Sequence, residues 1–243
     1  MPLTGAGPIR VVALDADDTL WHSEVYFART QRRFVDLVSR YVDASVDVTA
    51  GLDAVERRNM DRYGYGIKAF TLSMLEAAIE LTDATIGVDE LAQILASGRA
   101  MTDHPVDLLP GVEDALDELA ASGHRLVLVT KGDLNHQEHK IAASGLAHRF
   151  ERIEIVAEKD AGTYRRVVEG LGVAPDAFCM VGNSVRSDVL PVLEIGARAV
   201  HVPHHVTWSH EHAEHDGTVP TLASISELPA WLAAQAAGPQ PAA

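Results

Sequence analysis

The chain has 243 residues, of which 47% are hydrophobic, and a formal net charge of −15. This length suits one domain with a large insertion or two small domains, and the hydrophobic fraction is sufficient for a substantial core. The negative charge repels phosphate backbones and anionic lipids, which argues against nucleic acids and membrane surfaces as partners.

The N-terminal residues lack the pattern of a signal peptide, and no apolar run approaches membrane-spanning length. The single cysteine, Cys179, cannot form an internal disulfide. Because it lies in an apolar run, it is predicted to be a small buried hydrophobic residue. The sequence therefore predicts a cytoplasmic protein, and it is compatible with a monomer or a homodimer.

A short apolar segment, residues 11–14, leads directly into Asp15 and Asp17. Such a run predicts a strand buried on both faces, and open α/β sheets place their active sites at the carboxyl ends of such strands. Side chains at i and i+2 of an extended segment point to the same side, so the two carboxylates can share one ion or substrate. By itself, the stretch fits a catalytic strand end and a solvated acidic loop equally well.

Residues 22–104 contain only helical periodicity. Four stretches place apolar residues at helical spacing among charged ones, and none has the pattern of a strand. Four helices of this kind can bury their apolar faces against one another. The segment is therefore predicted to be an all-helical domain inserted after the first strand.

From residue 105 onward, predicted helices alternate with apolar strands near residues 126–130, 153–156, 178–181 and 199–202. This alternation indicates βαβ units and a parallel sheet with both faces covered. The predicted α/β core comprises residues 1–21 and 105–232. The low-complexity segment 233–243 is predicted to be a disordered tail.

Polar residues suited to phosphate or metal chemistry follow each of the first four core strands. The carboxyl ends of parallel strands converge at one edge of the sheet, so these residues can meet although they are distant in sequence. In chain order they are Asp15 and Asp17, Thr130 and Lys131, Lys159, and then Asn183 and Asp188.

These motifs resemble those of the haloacid dehalogenase-like hydrolase superfamily, phosphatase branch, with a helical cap inserted after the first core strand. The resemblance covers about residues 9 to 205. It implies a Rossmann-like, three-layer αβα core that carries the all-helical cap at residues 22–104. The motifs that carry it are Asp15-Ala16-Asp17-Asp18-Thr19-Leu20, Thr130, Lys159 and Gly182-Asn183-Ser184-Val185-Arg186-Ser187-Asp188.

The resemblance implies a role for each catalytic residue. Asp15 would attack phosphorus and form an aspartyl-phosphate. Asp17 would protonate the leaving oxygen and then activate water. Thr130, together with Lys131, would bind the phosphoryl group, and Lys159 would pair with Asp15 and neutralise phosphate charge.

The resemblance also implies a Mg²⁺ site. Its ligands would be Asp15, the backbone carbonyl of Asp17 and the loop that contains Asn183 and Asp188. Members of the family often carry aspartate at the position of Asn183, so Asp188 would supply the second negative charge directly or through water. Asp18 replaces a common glycine; we expect it to be tolerated if it points to solvent, and we assign it no role.

Two further segments permit more than one interpretation. Residues 63–68, Tyr-Gly-Tyr-Gly-Ile-Lys, form either a turn between helices or a substrate-specificity loop in which Lys68 contacts the substrate. Six histidines lie between residues 201 and 215. They form either a transition-metal site or, more simply, part of a solvated loop.

The sequence thus predicts a Mg²⁺-dependent phosphatase that hydrolyses a small phosphorylated metabolite. Three alternatives stay open: a 2-haloacid dehalogenase, a phosphomutase on the same fold, and a catalytically weak binding protein. Asp17 argues against dehalogenation, because displacement of a halide needs no acid to protonate the leaving group.

Overall fold

The computed structural model describes residues 7–205 and 217–237. Its centre is a sheet of five parallel strands in the order β3-β2-β1-β4-β5. The strands are β1 (Val11–Leu14), β2 (Arg125–Lys131), β3 (Arg152–Val156), β4 (Phe178–Gly182) and β5 (Arg198–His201).

The central strand β1 is buried along its whole length. Its last residue, Leu14, pairs with Leu128 of β2 and Val181 of β4. This register brings the residues that follow β1, β2 and β4 to the same edge of the sheet. The prediction of a Rossmann-like parallel α/β sheet is confirmed.

All four helices between β1 and the second half of the core belong to the insertion. Their buried apolar side chains form a hydrophobic cluster of their own, centred on residues such as Phe34, Leu52 and Met74. The helices are α1 (Glu24–Val38), α2 (Val48–Tyr63), α3 (Ile67–Leu81) and α4 (Val88–Thr102).

Within the described residues, five α-helices of the core follow in sequence. Apolar side chains of the sheet and these helices form two clusters, so hydrophobic packing covers both faces of the sheet. The helices are α5 (Val112–Ala121), α6 (Leu134–Ala143), α7 (Ala161–Leu171), α8 (Leu190–Glu194) and α9 (Leu228–Ala237).

The chain enters and leaves the helical insertion through two adjacent segments. His22 donates its backbone N–H to Asp107 O at 3.0 Å, and Leu109 donates to Leu20 O at 2.9 Å. The two connections are therefore tied to each other as well as to the core. We keep the division into a core (1–21 and 105–232) and a cap (22–104) as a proposal.

The predicted disordered tail starts too early, because α9 continues to Ala237. Leu228 and Leu232 of this helix are buried in the core, and the alanine-rich sequence that follows favours continuation of the helix. The rest of the predicted tail, 238–243, lies outside the described residues. Within residues 7–205 and 217–237, no helix combines the length and the apolarity needed to cross a membrane.

Candidate active site

Three charged side chains meet beyond the carboxyl ends of β1 and β4. Lys159 Nζ lies 2.5 Å from Asp15 Oδ1 and 2.7 Å from Asp188 Oδ1. All three residues are buried. One ammonium group therefore serves two carboxylates in a site that largely excludes water.

Burial and charge shift the ionisation of these groups. Burial raises the pKa of Asp15 to about 7 against the lowering effect of Lys159, and the neighbouring Asp188 adds to the rise. Burial alone would lower the pKa of Lys159, but the two carboxylates outweigh it and hold that pKa well above its ordinary value. Lys159 is therefore a cation at neutral pH, and a further cation beside Asp15 would favour the ionised form of that carboxyl.

Thr130 follows the last buried apolar residues of β2 and is 1% exposed. Its Oγ1 atom is buried and has no hydrogen-bond partner among the described residues. A buried hydroxyl that lacks a partner is uncommon in native structures. A ligand oxygen at this edge of the sheet would supply that partner.

The end of the Asn183 side chain lies 3.2 Å from both Asp15 Oδ2 and the backbone oxygen of Asp17. Both neighbours are acceptors, so the amide nitrogen satisfies them when no cation is present. Neighbouring ligands of an octahedral Mg²⁺ lie about 2.9 Å apart, which is close to this spacing. With the amide oxygen turned towards them, the three groups would offer three oxygen donors to Mg²⁺, and the donor set therefore fits that ion.

Asp188 has a different environment. Besides its ion pair with Lys159, it accepts the backbone N–H of Ser184 at 3.0 Å through Oδ2. Gly182 permits this close approach, since a Cβ atom there would lie 2.2 Å from Asp188 Oδ2. Both oxygens of Asp188 are thus engaged, and Asn183 is better placed than Asp188 to be a direct metal ligand.

Asp17 is held by three side chains, none of which the sequence had indicated. Lys140 Nζ lies 2.6 Å from both carboxylate oxygens of Asp17. Gln137 Nε2 donates to Oδ2 at 2.9 Å, and Trp21 Nε1 donates to Oδ1 at 2.7 Å. These contacts determine where the carboxylate points.

These contacts also determine the charge of Asp17. Burial alone would raise its pKa, but the Lys140 ammonium and the hydrogen bonds from Lys140, Gln137 and Trp21 outweigh burial and lower it. Asp17 is therefore an ionised carboxylate at neutral pH in this conformation. Such a group is ready to accept a proton, and it can donate one only after it has been protonated.

A weak signal for two of these residues exists in the sequence. Gln137 and Lys140 are three residues apart on α6, so they share one helix face. Because α6 starts shortly after the predicted site residue Thr130, polar residues on one face of this helix can reach the site. Trp21 gave no such signal.

Asp18 does not point to solvent, so the condition under which we expected it to be tolerated is not met. It is 6% exposed, and its two oxygens accept the backbone N–H groups of Ser23 and Glu24, each at 2.9 Å. Its backbone has a φ of 59°, in the left-handed region that aspartate tolerates better than most residues. Asp18 thus replaces the common glycine without loss of the turn and ties β1 to the start of α1.

Part of the histidine-rich segment lies beside Asp18. His204 Nδ1 is 3.4 Å from Asp18 Oδ1, and His22 contributes a third possible ligand, with all ligand atoms within 4.8 Å of one another. The backbone contacts already account for the position of Asp18. His210, His212 and His215 lie outside the described residues, so the predicted alternative of a metal site is tested only in part.

The segment 63–68 forms the turn between α2 and α3 and also contacts the core. Tyr65 Oη donates to Glu158 Oε2 at 2.6 Å, and Lys131 Nζ lies 4.1 Å from the centre of the Tyr65 ring. Lys131 also donates to Ser187 Oγ at 3.0 Å. The turn therefore sits directly above the phosphate-binding candidates.

Lys68 pairs with Asp133 of the core, with Nζ 3.0 Å from Oδ2, and its side chain is 62% exposed. It is not among the residues that line the cavity of about 180 Å³ between the core site and the cap. Its contact with Asp133 joins cap and core. The contact with substrate stays a prediction.

Comparisons with known proteins identify related hydrolases. A model of the haloacid dehalogenase-like hydrolases matches residues 9–196. A haloacid dehalogenase-like family hydrolase from Xanthomonas campestris, whose structure is solved, is 43% identical, with a TM-score of 0.82 and coverage of 96% of this chain and 95% of that chain.

Two further relatives differ in activity. A phosphoserine phosphatase from Thermus thermophilus is 32% identical over 121 residues, which are 48% of this chain and 49% of that protein. The chain thus spans about half the length of that curated relative. A 2-haloacid dehalogenase from Pseudomonas syringae is 23% identical, covers 93% of this chain and 99% of its own, and has a TM-score of 0.61, which shows a common fold alone.

The family match covers most of the chain, and the matched region contains the acid pair after β1, Thr130, Lys159 and the Asn183–Asp188 loop. The chain therefore belongs to the haloacid dehalogenase-like hydrolase family.

Proposed function

We propose that this protein is a Mg²⁺-dependent phosphatase that hydrolyses a small phosphorylated metabolite through an aspartyl-phosphate. The observation that carries the proposal is the arrangement of Asp15, Lys159 and Thr130 at one sheet edge. The Asp15 carboxylate pairs there with a buried cation and lines the same cavity as Thr130, whose buried hydroxyl has no partner among the described residues. The cytoplasmic location stays a prediction.

In the first half-reaction, a carboxylate oxygen of Asp15 attacks phosphorus in line with the leaving oxygen. Lys159 neutralises charge on the transferring group, and Thr130 Oγ1 donates a hydrogen bond to a phosphoryl oxygen. Asp15, the backbone oxygen of Asp17 and Asn183 would hold Mg²⁺. When bound, the ion would supply positive charge that keeps Asp15 ionised and stabilises the phosphoryl oxygens.

In the second half-reaction, water attacks the aspartyl-phosphate and must lose a proton. Asp17 is suited to accept it because the ion pair with Lys140 keeps its carboxylate ionised. In the first half-reaction Asp17 can protonate the leaving oxygen only after it has gained a proton itself. The ion pair therefore limits the rate most for substrates whose leaving oxygen is strongly basic.

The ionised state of Asp17 is also compatible with a second candidate function, 2-haloacid dehalogenation. A halide needs no proton when it leaves, and an ionised base would serve the hydrolysis of the resulting ester. Against this candidate, the cap residues that line the cavity include Glu24 and Glu56 but no lysine or arginine among the described residues. A haloacid carboxylate would find no cation on that side.

A substrate panel distinguishes these functions. We expect phosphate release from some members of a panel of phosphomonoesters in the presence of Mg²⁺, and at least about a 10²-fold loss of rate in EDTA that returns when Mg²⁺ is added. Chloride release from 2-chloropropionate, without phosphate release from any ester, would favour dehalogenation. Isomerisation of a sugar phosphate without phosphate release would indicate a phosphomutase.

The Lys140→Met variant tests the role of the ion pair. Removal of the ammonium leaves burial to raise the pKa of Asp17, so the pH below which kcat falls should move upward. A rise of one pH unit corresponds to about a tenfold lower kcat on the acidic side. The measurement is the pH profile of kcat for phosphate release.

Lys140→Arg is the matched control, because it keeps a cation beside Asp17 and should keep the acidic limb near its wild-type position. An acidic limb that is the same in Lys140→Met as in the wild type would exclude the proposed effect on Asp17. Thermal denaturation of both variants checks that each is folded.

A further inference from the structure

The cap contributes a buried carboxylate to the cavity above the nucleophile. Glu56, on α2, is 8% exposed and lines the same cavity as Asp15. In the described part of the chain, its side chain makes no hydrogen bond or ion pair. Burial, reinforced by the nearby Asp53, raises the pKa of Glu56 to about 8. A buried carboxylate without a partner destabilises a fold, so its presence in a ligand cavity points to a role in binding.

The polar residue one turn from Glu56 on α2 has other partners. Asn59, one turn further along α2, directs its amide Nδ2 to Ser73 Oγ at 3.2 Å and to Glu76 Oε2 at 2.9 Å. Its donors are therefore engaged within the cap. No lysine or arginine among the described cap residues lines the cavity, and Glu24 adds a second acid.

Basic residues of the core and acidic residues of the cap line the same cavity from different sides. On the core side, Lys131, Lys140 and Lys159 line the end where a phosphoryl group would bind. On the cap side the wall combines the two acids with Phe27 and Phe70, whose ring centres are 5.3 Å apart. A ligand that spans the cavity therefore meets cations at one end, and carboxylates with aromatic rings at the other.

We propose that the substrate is a phosphomonoester whose organic part carries a primary ammonium group, and that Glu56 binds this group. The inference rests on the proposed phosphatase function for the position of the phosphoryl group. An ammonium would form a charge-assisted hydrogen bond with the Glu56 carboxylate, and the neighbouring aromatic rings can contribute cation–π attraction.

The same arrangement excludes other substituents. A carboxylate or a second phosphate on the organic part would be brought towards Glu56 and Glu24, where no lysine or arginine of the described cap residues lines the cavity to balance its charge. A neutral alkyl group would be accepted, but it would leave Glu56 without a partner. Glu56 is therefore expected to select by charge more than by size.

Binding of non-hydrolysable phosphonates tests the inference without dependence on catalysis. The probes are aminoalkylphosphonates with two to six methylene groups, the uncharged alkylphosphonates of equal length and the carboxyalkylphosphonates, titrated calorimetrically with Mg²⁺ at pH 7.5. We expect at least one aminoalkylphosphonate to bind about tenfold or more tightly than its alkyl counterpart, and the carboxyalkyl probes to bind most weakly. Equal affinities for the amino and alkyl probes at every length would overturn the inference.

Glu56→Gln should abolish the preference for the amino probe over the alkyl probe of equal length. Asp61→Asn removes one negative charge from the exposed surface of the same helix and should retain the preference. The melting temperature of Glu56→Gln should equal or exceed that of the wild type, since a neutral amide replaces a buried carboxylate.

If Glu56→Gln binds the amino probe as tightly as the wild type does, Glu56 is not the recognition group. If the variant does not fold, the wild-type comparison decides by itself.

Hydrolysis separates this inference from the proposed function. Phosphate release from aminoalkyl and alkyl phosphates with equal kcat/KM would leave the phosphatase proposal standing and refute ammonium recognition. A tenfold preference for aminoalkylphosphonates without phosphate release from any ester would refute the phosphatase proposal and support the binding site.

Discussion

Replacing Asp15 with asparagine should abolish phosphate release. The amide has the shape of the carboxylate but is a far weaker nucleophile, so the aspartyl-phosphate cannot form and we expect a loss of about 10⁴-fold or more in kcat. The measurement is phosphate release from the best substrate of the panel, together with acid-quench trapping of phosphorylated enzyme. The wild type should accumulate label on the protein, and Asp15→Asn should not.

Loss of folding should not explain this result, because the substitution removes a buried ionisable group and leaves a neutral amide of the same shape. Burial raises the pKa of Asp15 to about 7, which means that its ionised form disfavours the folded state above the unfolded-state pKa. Asparagine removes that penalty, and Lys159 keeps Asp188 as its partner. The variant should therefore melt at or above the wild-type temperature at pH 8. Phosphate release at the wild-type rate by Asp15→Asn would refute the proposed nucleophile.

Replacing Lys159 with methionine should damage both activity and stability. The change leaves Asp15 and Asp188 close together without the ammonium that separates their charges. Removing one member of a buried ion pair costs about 3 to 5 kcal/mol of stability. Loss of the cation beside the transferring phosphoryl group should lower kcat by about 10³-fold. Denaturant unfolding and steady-state kinetics measure the two effects.

The stability effect should depend on pH in a defined direction. In the wild type, the pKa of Lys159 lies well above its ordinary value of 10.5, so its stabilisation is present at every pH below that value. In the variant the pKa of Asp15 rises further, and the penalty for its ionisation grows with pH. The loss of stability should therefore be larger at pH 8 than at pH 5.

Arg165→Met provides the control for the loss of a cation. Arg165 pairs with Glu194 at 3.3 Å, with both side chains more than half exposed, so the change should alter stability by less than about 1 kcal/mol. A Lys159→Met protein as stable as Arg165→Met at pH 8 would contradict the assigned role of the buried pair.

Local sequence was sufficient for the parts of the fold with a strong pattern. Continuous apolar runs such as residues 11–14 and 178–181 can only be buried on both faces, which specifies central strands of a parallel sheet. The end of the chain was less well predicted, because alanine-rich sequence is common to frayed tails and to helices. The burial of Leu228 and Leu232 against the core decides that α9 forms.

The neighbours of Asp17 show what local sequence could not provide. Lys140 and Gln137 belong to a segment without a phosphate or metal motif, and their contacts with Asp17 exist because α6 packs beside the end of β1, whereas Trp21 is only four residues from Asp17 in the chain. Lys140 and Gln137 lower the pKa of Asp17, so the charge on a predicted acid depends on two residues that no spacing rule connects to it. The buried Asp18 is a similar case, since a single backbone turn placed it against Ser23 and Glu24.

The sequence alone determined the α/β class, the helical insertion and which polar residues follow the core strands, because strand ends and periodicity are local properties that the chain carries wherever it folds. Only the tertiary structure decided that Lys159 serves two carboxylates, that Asn183 rather than Asp188 faces the Asp17 carbonyl, and that Glu56 is buried in the cavity. Those properties depend on distance and burial between segments far apart in the chain. Ionisation and metal binding respond to those quantities rather than to residue order.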